Sequence, residues 1–314
     1  MHSTLPLRRS PAAGCAWSRA TKLFTLVVAA TVAWASGVRS GAQSPAAQTV
    51  RPGILGIAHV AIRVSDLTQA KRFYGALLGY EILTARESSP VAVFVVSDRQ
   101  RLIVHEGLPA DQDERFLHIA FETTDVAAMR AYLTSHGLPA TDAIVDVHGG
   151  GRAIDVTDPD AHRVRFIQRD ASGPPKSQAA DKRISRRILH GGYTVRDAAA
   201  ADRFYREILG FSEIWRGGRT DDVTNWINMR VPDGTDYLEY MLVPGPVTRQ
   251  QLGSAHHVAL LVPDIQEALE SVRARTDQRN ARATPQVGRN RRWQLNLFDP
   301  DGTRVEFMEP WPIR

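Results

Sequence analysis

A fourfold internal repeat constrains this chain more than any other feature. Four segments, GILGIAHVAIRVSD, RFLHIAFETTD, RRILHGGYTVRD and SAHHVALLVPD, each open a unit with a short β-rich run that carries a histidine and ends at an aspartate. The histidines are His59, His118, His190 and His257, and the aspartates are Asp66, Asp125, Asp197 and Asp264. An Asp just before a helix-period segment reads as an N-cap, because its carboxylate accepts from the free N–H groups of the first turn. Such a segment follows every opener. In units one and three it is nearly the same text, LTQAKRFYGALLGY and AAAADRFYREILGF, with Phe73, Leu77 and Leu78 recurring as Phe204, Ile208 and Leu209 on one face. Gly79 and Gly210 stand where a C-cap glycine belongs.

Three strand-like runs then complete each unit. In units two and four the last two make a hairpin, IDVTDPDAHRVRFIQ and LNLFDPDGTRVEFME, with Asp-Pro-Asp as the turn. Each unit thus reads β-α-β-β-β, an α+β pattern present four times. A Pro- and Ser-rich stretch, DASGPPKSQAADKRIS, separates units two and three and reads as a linker. The expected organisation is an N-terminal domain over 53–169, a linker over 170–183 and a C-terminal domain over 184–314.

Residues 1–42 differ in kind. They hold Arg8, Arg9, Arg19, Lys22 and Arg39, no acid, an apolar run from Leu23 to Ala35 and then Ser40-Gly41-Ala42. That is the layout of a secretory signal cleaved near Ala42, and it predicts a periplasmic or secreted protein. The apolar run is short for a membrane anchor, which needs about 20 residues. Without the five bases of this leader, 34 bases face 34 acids. The basic excess therefore belongs to the leader and not to a nucleic-acid surface. Cys15, the one cysteine, goes with it, so the mature chain needs no disulfide. The expected partner is a small-molecule substrate, with no nucleic acid, no membrane after cleavage and no obligate protein partner.

The chemistry lies in units three and four. His190 in ILHGGYTVRD precedes Glu239 in DYLEYMLVP by 49 residues, and His257 precedes Glu306 by the same 49. Imidazole and carboxylate at matching places in two similar units suit one divalent metal (Ni, Zn, Co, Mn or Fe(II)). Two Glu side chains facing one cavity would repel, and a cation relieves that. A lone His in an apolar strand is by default a satisfied core residue, and His59 and His118 read so. Strand alternation places Tyr237 and Met241 with Glu239, Arg304 and Met308 with Glu306, and His256 opposite His257.

The HVAIRVSDLTQAKRFYGALLGY and DPDGTRVEF patterns resemble the vicinal oxygen chelate superfamily, which includes glyoxalase I, extradiol dioxygenases, fosfomycin resistance proteins and bleomycin-binding proteins. The resemblance spans essentially all of the chain after the leader. It implies that units pair into two cupped half-barrel domains, with a metal held by the first and last strands of each unit. Carried over, the C-terminal ligand set is His190, Glu239, His257 and Glu306, similar to that of bacterial glyoxalase I. The N-terminal domain offers His59 and His118 with Ile103 and Arg165, which implies a vestigial, metal-free site. A one-residue slip would present His105 or Glu106 instead. The family's strand parity points Arg292, Gln294 and Asn296 inward as substrate contacts, with Trp226 and Tyr237 beside them.

Three chemistries follow from the resemblance. The first is a glyoxalase-I-like lyase or isomerase, in which the metal stabilises an enediolate and Glu239 or Glu306 shuttles the proton. The alternative is an Fe(II) extradiol-type dioxygenase, for which His190, His257 and Glu306 make the 2-His-1-carboxylate face. Two departures weigh against it: Asn296 stands where that pattern has a Tyr ten residues before the ligand Glu, and no His lies within 241–255. The third is a non-catalytic small-molecule-binding protein, which the four ligands disfavour.

Overall fold

The computed structural model describes residues 49–83, 89–112, 114–141, 143–146, 151–170, 181–276 and 278–313. The expected leader and residues 171–180 of the expected linker lie outside them. Among the described residues no helix is long and apolar enough to cross a membrane.

The four units build two eight-stranded sheets of one design. In the first, β1 (Ile54–Val64), β2 (Glu81–Ile82), β3 (Val91–Val95), β4 (Arg101–Glu106), β5 (Phe116–Thr123), β6 (Val145–Asp146), β7 (Arg152–Thr157) and β8 (Arg163–Gln168) take the order β2-β3-β4-β1-β5-β8-β7-β6. In the second, β9 (Ile188–Val195), β10 (Ser212–Gly217), β11 (Trp226–Arg230), β12 (Tyr237–Leu242), β13 (His257–Leu261), β14 (Gln286–Val287), β15 (Trp293–Phe298) and β16 (Arg304–Met308) repeat it as β10-β11-β12-β9-β13-β16-β15-β14. The first strands of paired units run antiparallel at the centre, and each is flanked by the last strand of its own unit in parallel. These are tandem cupped domains of the α+β class, as the repeat implies.

Each unit's helix begins where its aspartate stands. Asp66 accepts from Gln69 N, Asp125 from Ala127 and Ala128 N, Asp197 from Ala199 and Ala200 N, and Asp264 from Gln266 and Glu267 N. The helices are α1 (Leu67–Ala70), α2 (Val126–Ser135), α3 (Ala198–Asp202) and α5 (Ile265–Arg275); a further helix, α4 (Arg249–Ser254), is inserted between units three and four. The Thr248–Gln251 capping box starts α4. After α1 and α3 the chain widens into π-helical turns over Lys71–Leu77 and Arg203–Ile208. Both end at a glycine with positive φ, Gly79 (83°) and Gly210 (79°), as C-caps require. Strand alternation sends Val60, Ile119, Phe121, Val258, Leu260 and Phe307 to the helix side, where they join one core cluster that runs through both domains. The opposite face of each sheet forms the cup.

The domains are fastened by paired contacts. Tyr74 Oη donates to Asp299 Oδ2 (3.0 Å), and Tyr205 Oη donates to Asp158 Oδ2 (3.0 Å). Both carboxylates begin Asp-Pro-Asp turns. The second Asp of each turn repeats the exchange: Ser65 N donates to Asp301 and Arg196 N to Asp160. Helix termini do likewise, with Arg275 donating to Leu77 O and Tyr132 to Ile208 O. Unit one thus meets unit four, and unit two meets unit three.

Candidate metal centre

Register alone gathers the site. On the second sheet His257 lies opposite Gly192 and Ala259 opposite His190. Glu239 lies opposite Gly192 on one side, and Glu306 opposite Ala259 on the other. Four polar side chains from β12, β9, β13 and β16 therefore share one face, with the two smallest residues between them. Gly192 is required: a Cβ there would stand 2.0 Å from His257 Cε1. The adjacent His256 faces away, between Glu114 and Thr194.

The donor atoms converge. His190 Nε2 and His257 Nε2 are 3.0 Å apart. Glu306 Oε2 is 3.5 Å from His190 Nε2 and 3.7 Å from His257 Nε2. Glu239 Oε2 is 3.8 and 3.4 Å from the same two atoms. His190, His257 and Glu306, all buried, offer ligand atoms within 4.8 Å of one another and could hold a divalent metal. Glu239 stands beside that set rather than in it.

The donors are in the form a cation needs. Burial first, then Arg304 and His190, hold the His257 pKa well below its ordinary value, so the imidazole is neutral. Its Nδ1 lies 2.7 Å from Ala255 O, a partner that can only accept. A proton on Nδ1 leaves the lone pair on Nε2, aimed at the site. Burial would raise the Glu306 pKa, but His190, Arg304 and His257 outweigh it and keep the carboxylate ionised. The residues present fit a divalent cation.

A cleft of about 770 Å³ opens onto this centre. Its lining includes Glu239, Glu306, Asn296 and Gln294, the rings of Trp215 and Trp226, and Gln251 and Ser254 of α4. Asn296 is paired with Glu306 in register, and its Oδ1 is buried without a partner. Of the residues expected to touch substrate, Gln294, Asn296 and Trp226 line the cleft, while Tyr237 and Arg292 do not. Tyr237 is buried, with its ring stacked on His190 (centroids 4.5 Å apart, 26° between planes). It backs the ligand instead of facing the cavity. Arg292 acts electrostatically on Tyr237, and the cations that line the cleft are Arg219, Arg289 and Arg304. Trp215 was not expected here; it precedes Trp226 on a partner strand whose pairing the sequence does not display.

The N-terminal cup keeps the frame and changes the occupants. Ala61 pairs with Ile103 and His118, and Ala120 pairs with His59 and Arg165. Ile103 and Arg165 therefore take the places of Glu239 and Glu306, and the slip toward His105 or Glu106 does not occur. His59 Nε2 and His118 Nε2 are 2.8 Å apart. Arg165 is tied at both ends to Asp155 (2.7 and 2.8 Å), the residue opposite it on β7. Burial, aided by Arg165, lowers the His118 pKa to about 3 and holds that of His59 well below normal.

The glyoxalase/bleomycin resistance protein/dioxygenase superfamily model matches residues 56–166 and 187–307. Solved structures with the same fold include homoprotocatechuate 2,3-dioxygenase from Arthrobacter globiformis (21% identity, 82% of this chain and 80% of that chain, TM-score 0.64). They also include the Brevibacterium fuscum enzyme in complex with 3,4-dihydroxyphenylacetate (20%, 83% and 82%, TM-score 0.63). The 2,3-dioxygenase LapB from Pseudomonas sp. KL28 is a third (16%, 84% and 96%, TM-score 0.62). No curated protein matches the chain.

Proposed function

The chain belongs to the glyoxalase/bleomycin resistance protein/dioxygenase superfamily, and on that premise we propose that its C-terminal domain is a metal-dependent, ring-cleaving dioxygenase of the extradiol type. The carrying observation is the buried, mutually close set of His190, His257 and Glu306. Two imidazoles and one carboxylate on one face, with room opposite, are the ligand set of non-haem Fe(II) oxygenases. When bound, Fe(II) would supply the redox chemistry with oxygen and a seat for two vicinal oxygens of the substrate.

The chain's own residues do the rest. Ala255 O at 2.7 Å favours the His257 tautomer that leaves Nε2 free to ligate, while Arg304 Nη2 at 2.8 Å from the same Nδ1 favours the other. Tyr237 holds the His190 ring by stacking. Glu239, beside the ligand set and lining the cleft, is placed to take a proton from an incoming diol. Asn296 Oδ1, buried and unpartnered, can accept from a substrate hydroxyl. The half-buried rings of Trp215 and Trp226 offer an apolar wall for a flat substrate.

Glu239 also favours a second reading, a glyoxalase-I-type lyase or isomerase, because a fourth ligand would leave one carboxylate on each side of the metal. One experiment separates the two: elemental analysis of the protein and of Glu239→Ala, followed by oxygen uptake with catechols. Iron retained by the variant, with oxygen consumed by the parent, supports the dioxygenase. Nickel, zinc or cobalt lost from the variant, with no oxygen uptake, supports the isomerase. No metal in either protein sinks both.

A further inference from the structure

We propose that the seam between the two domains holds a second binding site, for a small dianionic oxyanion of the phosphate class. A cavity of about 480 Å³ lies where the two central strands begin. Its walls are the start of β1 and the β3–β4 turn from the first domain, and the lead into β9 and the residue before β12 from the second. It shares no lining residue with the cleft over the metal set, so the site stands apart from the proposed reaction.

The frame of this cavity is already built. The Gln100 side chain accepts from Ile188 N (2.7 Å) and donates to Ile188 O (2.9 Å) and to Asp236 Oδ2 (3.2 Å). Asp236 Oδ2 accepts in turn from Ile57 N (3.0 Å). Each domain thus bonds to the first strand of the other across the seam. A ligand held there meets preset walls and costs little ordering.

Positive charge outnumbers negative around it. Six guanidinium groups (Arg99, Arg101, Arg169, Arg183, Arg186 and Arg187) gather in and behind the walls, against the carboxylates of Asp98, Glu122, Asp181 and Asp236. Two of these acids are shared. Arg183 and Arg186 both bond to Asp181 (2.8 and 2.7 Å), and Arg99 and Arg169 both bond to Glu122. Arg187 has Asp236 (2.7 Å).

Arg101 has no acid at all among the described residues. It is 3% exposed, its Nη1 donates to the backbone carbonyls of Ser97 and Gln100, and its Nε is buried without a partner. Burial first, then Arg169, pushes its pKa down to about 10, so it is still a cation at neutral pH. A buried cation without an anion is costly. The excess of two positive charges is what a doubly charged oxyanion balances, and guanidinium forks match its oxygens. Donors remain to reach it. Arg99 and Arg186 line the cavity, and each spends one nitrogen on its carboxylate, with side chains 64% and 60% exposed.

The test titrates the full chain calorimetrically with inorganic phosphate at pH 8, with ionic strength held by sodium chloride. The expected result is one phosphate per chain, with a urea midpoint that rises as phosphate is added. Arg99→Gln and Arg186→Gln, both at exposed side chains, should keep the circular dichroism of the parent. Each should weaken phosphate about tenfold, and the pair together more. Glycerol 3-phosphate tells the two sources of the anion apart: tighter binding than phosphate marks an esterified ligand, and equal or weaker binding marks the free ion. Both of those outcomes uphold the site. No phosphate bound by the parent, or binding that the double variant leaves unchanged, overturns it.

Discussion

The two cups are one frame with two fillings. Both place a histidine pair on antiparallel central strands, with Nε2 atoms 2.8 Å apart in the first and 3.0 Å in the second. The difference lies on the flanking strands. Where the second cup has Glu239 and Glu306, the first has Ile103 and Arg165. The exchange is compensated: Asn296 opposite Glu306 becomes Asp155 opposite Arg165, and the new cation is bonded at both ends. The first cup has an internal salt bridge where the second has a His-His-Glu set that could hold a cation. A buried charge must be paired by something, and the two domains meet that demand in different ways.

The comparison can be broken by exchanging the fillings. Glu306→Arg with Asn296→Asp writes the N-terminal pair into the C-terminal cup. It should remove the metal, from about one per chain to none, by elemental analysis, with the circular dichroism of the fold retained. The converse, Arg165→Glu with Asp155→Asn and Ile103→Glu, should raise the content to about two per chain. A folded protein that still binds about one would show that the frame alone does not make a site.

A smaller change sharpens the comparison further. Gly192→Ala copies Ala61 of the first cup, but its Cβ collides with His257. Metal affinity should fall by about 10- to 100-fold, the range for disturbed support of a ligand, measured by competition with a chelator. An unchanged affinity would mean that the His257 ring can turn without cost.

The smallest effects concern the fastening of the domains. Burial raises the Asp299 pKa to about 6, above its unfolded value, even though Thr303 N and Tyr74 Oη bond to it. The folded state then binds the proton more tightly, so this group's contribution to stability falls as pH rises from about 4 through about 6. Asp299→Asn should flatten that slope in urea denaturation across the window. Tyr74→Phe should cost about 1–2 kcal/mol at pH 8, where it leaves a buried carboxylate short of a donor. An equal cost at pH 4.5 would argue that the hydroxyl, not the charge, is what matters.

Much of this was legible in the text of the chain. The aspartate caps, the C-cap glycines and the Asp-Pro-Asp turns are local devices whose partners lie within a few residues. The spacing of 49 put Glu239 and Glu306 at matching places after their histidines, and the family resemblance implied that all four share one cavity. Arg292 and Tyr237, expected as substrate contacts, are not among the residues that line the cleft, because parity says which face a side chain takes and not whether that face is open there. Arg304 shared the face of Glu306 in the sequence, but nothing local told that its guanidinium would reach Nδ1 of His257.

The sequence by itself determined four β-α-β-β-β units, their pairing into two α+β cups, and which cup has the residues for a metal. Periodicity, capping and turn chemistry are short-range, so a repeat displays them four times over. Only the tertiary structure decided how the cups lock together. Tyr74 and Tyr205 read as ordinary helix residues, yet each reaches an aspartate of the other domain, 225 and 47 residues away. The π-helical turns belong to those same segments, and no spacing announces them. It also decided which side chains line the cleft and which neighbours Arg304 meets, because a side chain's surroundings exist only once distant strands have come together.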